Sequence, residues 1–291
     1  MKIAFITFEY PPFIMGGAGV YASNLTRGLA HLDHEVHIIM PMVSEIPEEL
    51  FPERIHVHKL HFINKPFLAA PSFWYSLRKE FPSLRRQVKE FDVVHINGLC
   101  DFSLDRKLVF SPRILTIHHL TKTLIKTLKI NFFKRIMNLR GEAGIMPFFE
   151  KLSINRADKI VAVSRFTRQS ILETYNVPEN KIEVIHHGAY PEDYIFTEKE
   201  RNRLRDTLAL NSQPILLFVG RLEVRKGLDI LLKAVARVLR LIDVKLVVVG
   251  AGNQISYQKL AESLNISDKV VFLGHVPGKS LRLIYSICDL F

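Results

Sequence analysis

Cysteine is almost missing from this 291-residue chain, which has only Cys100 and Cys288. They stand far apart and have no Cys or His cluster around them. No disulfide scaffold or zinc module can be read from such a pair, and two free thiols fit a reducing cytosol. Long apolar runs are missing too, since no stretch approaches the roughly 18 residues of a membrane span. The apolar start stops at Glu9, short of the ~7–15 residues of a signal-peptide core, and reads as a buried first strand. There is no Asp-x-Asp, so a metal-bridged diphosphate site of that kind is not indicated. Gly-x-Ser-x-Gly, His-Glu-x-x-His, Cys-x-x-Cys and Walker A patterns are absent as well. Internal repeats and low-complexity tracts do not stand out. Acid is short relative to base: 29 Asp and Glu against 40 Lys and Arg leave a net charge of +11. That excess points to phosphate on a nucleic acid, an anionic membrane or a small molecule.

What is present is a regular alternation of short apolar runs and amphipathic stretches. Strands are expected at Lys2–Phe8, Glu35–Met40, Ile55–Leu60, Val93–Ile96, Arg113–Ile117, Lys159–Val163 and Ile182–Ile185. A second series follows at Ile215–Val219, Lys245–Val249 and Val270–Leu273, with another beginning at Asp289. Each run is continuously apolar, the pattern of a parallel sheet buried on both faces. Helices are expected at Gly19–Leu32, Pro147–Arg156, Ser164–Tyr175, Gly227–Leu241 and Gln254–Leu264. The fold class is α/β, with doubly wound parallel sheets. The polar stretch Ala189–Pro214 reads as a seam, giving an N-terminal domain of residues 1–188 and a C-terminal one of 189–291. At about 30 residues per βα unit the second domain holds only three full strands. The chain stops inside the apolar run Tyr285–Phe291, so the expectation is a domain cut short.

Five segments carry chemistry. In Glu9–Tyr21, Pro11 and Pro12 force an extended exit from the first strand. Gly16, Gly17 and Gly19 then open a helix whose first amides an anion could approach. The spacing is not Gly-x-Gly-x-x-Gly, so the dinucleotide fingerprint fails. In Leu217–Leu232, Arg221 and Lys226 follow a strand on its carboxyl-end loop, where doubly wound sheets bind ligands. Gly227 allows the turn into the next helix. Two cations beside a helix N-terminus make a diphosphate site without a metal. Gly250 and Gly252 end another strand, and Gly274, His275 and Val276 end a third. His118 and His119 follow the buried strand Ile114–Ile117, where a histidine can donate a hydrogen bond to a ligand. The segment His95–Leu99 is a weaker case of the same kind.

Together these residues resemble glycosyltransferase family 4 (group 1). The resemblance runs the length of the chain, through PPFIMGGAG, TIHH, ADKIVAVSRFT, IEVIHHGAYPEDY, GRLEVRKGLDILLKA, LVVVGAGN and VVFLGHV. It implies the GT-B fold, two Rossmann-like domains facing across a cleft, the second incomplete here. It also implies retaining, metal-independent sugar transfer with no cofactor. The donor would be a nucleotide-diphosphate sugar and the acceptor a sugar or a lipid-linked sugar. By motif position Arg221 and Lys226 would grip the diphosphate and stabilise the departing nucleotide. His118 would contact the transferred sugar, with these three as the catalytic set. Gly16, Gly17, Gly250, Gly252, Gly274, His275 and Val276 would border the donor. The family's paired glutamates are absent from this chain. His119 stands where an acid is usual, and His186–Gly188 replaces the common Pro-Asn-Gly. Met15 replaces the lysine of glycogen synthases. The runner-up readings are a nucleotide-sugar epimerase of the same architecture and a non-catalytic fragment.

The charge is uneven. Split at Tyr190, the chain carries +7 before and +4 after. Between Arg106 and Gly141 there are nine cations, Arg113 among them, and no acid. A helical projection of Thr121–Arg140 gathers apolar side chains on one side, with Lys122, Lys126, Lys129 and Arg140 beside them. Lys122, Lys126, Lys129, Lys134, Arg135 and Arg140 are therefore candidates for docking on anionic lipid. The expected setting is cytoplasmic and peripheral on the inner face of the membrane. Charge alone suggests a nucleic-acid binder, but without any recognition motif nucleic acid is not an expected partner.

Overall fold

The computed structural model describes residues 1–13, 16–42, 52–65, 68–99, 103–104, 107, 109, 111–121, 123, 142–210, 213–276 and 278–291. They form two compact units, Met1–Ala189 and Tyr190–Phe291. All six membrane-docking candidates lie outside the described residues; among the described residues no helix is long and apolar enough to cross a membrane.

Seven of the apolar runs assemble the first unit's sheet. They are β1 (Lys2–Thr7), β2 (Glu35–Pro41), β3 (Ile55–Leu60), β4 (Val93–Asn97), β5 (Arg113–Ile117), β6 (Lys159–Ala162) and β7 (Ile182–Val184). Their spatial order is β3-β2-β1-β4-β5-β6-β7, and every neighbouring pair is parallel. Both faces are buried, as uninterrupted apolar strands require. Phe5 joins Val36, Ile38 and Met40 in one core, while Ala4 and Ile6 join Ile39, Leu77 and Ile96 in the other. Helix α1 (Gly17–His31) covers the first face with Ala22 and Ala30. Helix α2 (Ala69–Val88) covers the second with Phe73, Trp74, Leu77, Phe81 and Leu84, which recur at helical spacing. Helices α3 (Glu142–Arg156) and α4 (Arg165–Thr174) follow, and Ser164 caps α4 by accepting from the Thr167 amide. The chain winds outward from β1 to β3 and then crosses back to β4. The strand order therefore reverses between β1 and β4, which opens a crevice at their carboxyl ends.

The second unit builds a smaller parallel sheet from β8 (Ile215–Val219), β9 (Lys245–Val249) and β10 (Val270–Gly274). Helix α5 (Glu198–Thr207) precedes it, closed by a capping box in which Thr197 and Glu200 each bond the other's amide. Helix α6 (Leu228–Val238) buries Leu228, Leu232 and Val235, one stripe at i, i+4 and i+7. Helices α7 (Gln254–Ser263) and α8 (Gly278–Tyr285) complete the unit. The strand expected at Asp289 is a single parallel bridge, Leu216 to Leu290. The Leu217 amide donates to Leu290 at 2.8 Å, whereas Gly220 donates to Val249. Alternate residues face opposite neighbours, so Leu290 flanks β8 on the side away from β9.

The structure corrects two further expectations. Helices α2, α5 and α8 were not among the helices expected from periodicity. Arg113, counted among the nine cations of the basic stretch, is buried in β5 and adds nothing to a basic surface. Its guanidinium donates to the Leu104 carbonyl and its amide to Asp158.

Candidate active site

In the first unit a chain of buried polar groups lies at the carboxyl ends of the strands. Parallel register sets it up: Thr7 is level with Asn97, and Asn97 with Thr116, on three adjacent strands. Asn97 is the hub. Its Nδ2 donates to Thr7 Oγ1 at 3.0 Å and to the Ala18 carbonyl at 3.1 Å. A carbonyl can only accept, so the amide orientation is fixed and Oδ1 faces His118 Nε2 at 2.7 Å. His118 must therefore carry its proton on Nε2.

Burial, followed by the nearby His187 and His119, lowers the His118 pKa to about 4. The ring is neutral at neutral pH and presents Nδ1 as an acceptor. The sequence suggested a histidine that donates to a ligand; here the N–H is committed to Asn97, and the lone pair is what the ring offers. Tyr21 stands edge-on to His118 at 5.0 Å, and His187 lies 4.6 Å from Tyr21 and 5.2 Å from His118. The Tyr21 hydroxyl and His95 Nε2 share Thr116 Oγ1, at 3.1 and 2.8 Å. His95 is itself held at about 4, by burial first and then by His118. His119 is exposed.

Gly16 caps α1 with extended backbone and donates its amide to Glu9 Oε2 at 2.8 Å. A carboxylate thus already sits at the helix N-terminus where an anion was expected. Added Cβ atoms on Gly16 or Gly17 would meet nothing within 4 Å. Packing does not demand glycine at either position.

In the second unit the carboxyl ends of β8, β9 and β10 are knitted together. Gly220 donates to Val249 at 3.0 Å, Leu222 to Ala251 at 2.8 Å and Gly250 to Gly274 at 2.7 Å. A Cβ on Gly250 would stand 1.8 Å from the Gly220 oxygen, and one on Gly252 2.8 Å from Leu222 Cβ. These two glycines are needed for the crossing of backbones itself. Arg221 leaves the end of β8 exposed, its Nη1 3.0 Å from Glu223 Oε1. Glu223 Oε2 holds Arg225 at 2.9 Å. Exposed pairs of this kind contribute about 0–1 kcal/mol, so a phosphate can displace the carboxylate. Lys226 is also exposed, and its stem lies over Gly220, with Cδ 3.8 Å from the Cβ position. Gly227 then turns the chain in the left-handed region (φ 73°) and caps α6. Arg221, Lys226, the α6 N-terminus, Gly250 and Gly274 are thus brought together in one unit. His275 is exposed beside them, whereas Val276 packs into the core with Ile284 and Ile287.

Thr7, Thr116 and Tyr21 were not singled out from the sequence, while Asn97 and His187 entered only within the segments His95–Leu99 and His186–Gly188 and with no role of their own. The available signal was a polar residue closing an otherwise apolar strand, as at Thr7 and Asn97.

The chain is similar to known glycosyltransferases in sequence and in fold. The sequence model of Glycosyltransferase Family 4 matches residues 15–193, and that of Glycosyl transferases group 1 matches residues 200–291. An uncharacterised glycosyltransferase of Methanocaldococcus jannaschii, MJ1607, is 28% identical over 99% of this chain and 73% of its own length. The N-acetyl-alpha-D-glucosaminyl L-malate synthase of Bacillus anthracis is 21% identical over 94% of this chain and 68% of its own. Among solved structures, WaaG, a glycosyltransferase involved in lipopolysaccharide biosynthesis, superposes with a TM-score of 0.73 at 17% identity. That match covers 99% of this chain and 73% of WaaG. Anabaena HepE in complex with UDP-glucose gives 0.69 at 18%, covering 99% and 72%. The structural likeness establishes the GT-B fold, and the sequence match over most of both units establishes the lineage: the chain belongs to glycosyltransferase family 4.

Proposed function

We propose that this chain transfers a sugar from a nucleotide-diphosphate sugar to a sugar or lipid-linked acceptor, with retention and without a metal ion. The observation that carries the reading is the pairing of Arg221 and Lys226 at the end of β8, beside the N-terminus of α6. Two cations and a helix dipole neutralise a diphosphate and stabilise the charge that grows as the nucleotide leaves. The lack of Asp-x-Asp agrees with a site that uses side-chain cations for this purpose. His118 Nδ1 accepts from a sugar hydroxyl, and Asn97 fixes the tautomer that allows it. In the second unit Gly274 and His275 border the donor, and Gly250 and Gly252 shape the loop beneath it.

Relatives support the donor class but differ in the base. HepE was solved with UDP-glucose, and a Mycolicibacterium smegmatis relative is named a GDP-mannose-dependent mannosyltransferase acting on a phosphatidylinositol monomannoside. That lipid acceptor agrees with the basic stretch Lys122–Arg140, which we assign to peripheral docking on the cytoplasmic face of the membrane.

The test is calorimetric titration of the full chain with UDP, GDP and ADP, followed by Arg221→Ala and Lys226→Ala. One nucleotide is expected to bind, and each substitution to weaken it at least about tenfold; losing one charge-assisted contact of about 1.5–3 kcal/mol has that effect. Unchanged nucleotide affinity in both variants overturns the reading.

A further inference from the structure

At the amino ends of the strands, opposite the candidate site, β2 and β3 place four potential metal ligands on one sheet face. The sequence reads Glu35-Val-His37 on β2 and His56-Val-His58 on β3. Side chains two residues apart share a face, and the register sets His37 level with His56. Val36 and Ile55 turn to the α1 side, which leaves the four polar side chains together on the other. Glu35 Oε1 lies 3.1 Å from His37 Nε2 and 3.7 Å from His56 Nε2, and the three ligand atoms all fall within 4.8 Å of one another. Donors at about 2.0–2.1 Å around a tetrahedral zinc ion are separated by about 3.3 Å. The carboxylate edges already match. His56 is exposed, so its ring can rotate to close the third edge.

A further histidine supports the arrangement. His58 Nε2 lies 3.0 Å from His37 Nδ1. With Nε2 of His37 on a metal, its Nδ1–H donates to His58, the outer-shell partner that orients a ligating imidazole. The His37 ring is buried, stacks on His56 at 4.7 Å and packs edge-on against Phe91, so its position is fixed.

We propose that Glu35, His37 and His56 bind a divalent first-row transition-metal ion such as zinc, with His58 as the orienting partner. Two imidazoles and one carboxylate suit zinc, cobalt or nickel rather than magnesium or calcium. No metal site was expected from the sequence. Strand β3 is the edge of the sheet, and the ion would pin it to β2. The site lies apart from the strand ends assigned to transfer and does not depend on that assignment.

The test uses the tag-free full chain after treatment with a chelator. Cobalt is titrated by visible absorption and zinc by its effect on the thermal melt. The expected result is one tetrahedral cobalt per chain and a zinc-dependent rise in Tm that magnesium does not reproduce. His56→Ala, at the exposed rim, is expected to keep the metal-free melt and weaken cobalt at least about tenfold. His58→Phe is expected to weaken it by about 10–100-fold through loss of the orienting bond. The proposal is overturned by a wild-type chain that takes up no cobalt, or by a His56→Ala chain that binds it as tightly as wild type.

Discussion

Replacing Gly250 with alanine puts a methyl group where another backbone already is. The added Cβ would stand 1.8 Å from the Gly220 oxygen and 2.7 Å from its carbonyl carbon. Neither atom belongs to a flexible side chain, so the ends of β8 and β9 must part by more than an ångström. The hydrogen bonds from Gly220 to Val249 and from Leu222 to Ala251 span this crossing, and the one from Gly250 to Gly274 ties the same turn to β10. Losing two of them forfeits about 2 kcal/mol. Holding alanine at φ 153° adds about 1–3 kcal/mol of backbone strain. The expected loss is about 3–5 kcal/mol, against the ~5–15 kcal/mol that holds a typical domain. Gly16→Ala is the control, since its backbone is extended and the space around it is open. It should stay within about 0.5 kcal/mol of wild type. Urea denaturation followed by far-UV circular dichroism reads both variants. The only tryptophan, Trp74, is buried in the first unit, so its emission tracks that unit. The Gly250→Ala loss should therefore appear in the dichroism at lower urea than in the emission. A Gly250→Ala midpoint matching wild type, or an equal loss in Gly16→Ala, would refute the packing role assigned to this glycine.

Two further predictions concern the first unit. The unfolded chain protonates its histidines near 6.5, whereas folded His95 and His118 do so at about 4. Between those values the unfolded state binds more protons, so stability is full above about pH 6.5 and falls as the pH drops towards 4. For buried His95 the loss is up to about 3 kcal/mol. Denaturation midpoints at neutral and acid pH should show it, and His95→Gln should flatten the dependence; an unchanged slope contradicts the assignment. Asn97→Ala should destabilise the unit by about 1–3 kcal/mol, because it strands the His118 N–H and the Ala18 carbonyl. It should also release the His118 tautomer, seen as a change in its imidazole nitrogen chemical shifts. A His118 signal unmoved by the substitution would mean that Asn97 does not set the proton's position.

The strands were legible because uninterrupted apolar runs have few other uses in a chain of this composition. Ile215–Val219 and Lys245–Val249 fall where they were expected, as do Arg113–Ile117 and Ile55–Leu60, the last despite His56, His58 and Lys59 within it. Helix α5 escaped notice because none of its residues is buried, so there is no apolar stripe to find. Its visible signal is the Thr197-x-x-Glu200 box. Helix α2 carries Pro82 in its interior, and proline usually marks a break. The cations of the second unit could be read because Arg221, Lys226 and the helix they precede are contiguous. The Asn97 network could not, because its partners sit on β1, β4 and β5 and meet only through parallel register. The same reasoning applies to Glu35, His37 and His56, which lie on two strands 20 residues apart.

The strand ends of the two units carry different chemistry. The end of β8 carries two exposed cations, Arg221 and Lys226, whose charge suits the diphosphate proposed above. The ends of β1, β4 and β5 instead hold Thr7, Asn97 and Thr116, buried in a hydrogen-bonded network beside neutral His118. Burial keeps His118 and His95 uncharged, so this part of the first unit adds no positive charge at neutral pH. The +7 carried before Tyr190 is therefore not concentrated in the hydroxyl network. Arg113, the one cation on these strand bodies that is fully internal, is satisfied by a carbonyl. A positively charged imidazole at position 118 would favour an anion over a hydroxyl and would repel His187 and His119. Holding its pKa near 4 prevents that, so His118 itself does not change charge across the neutral range.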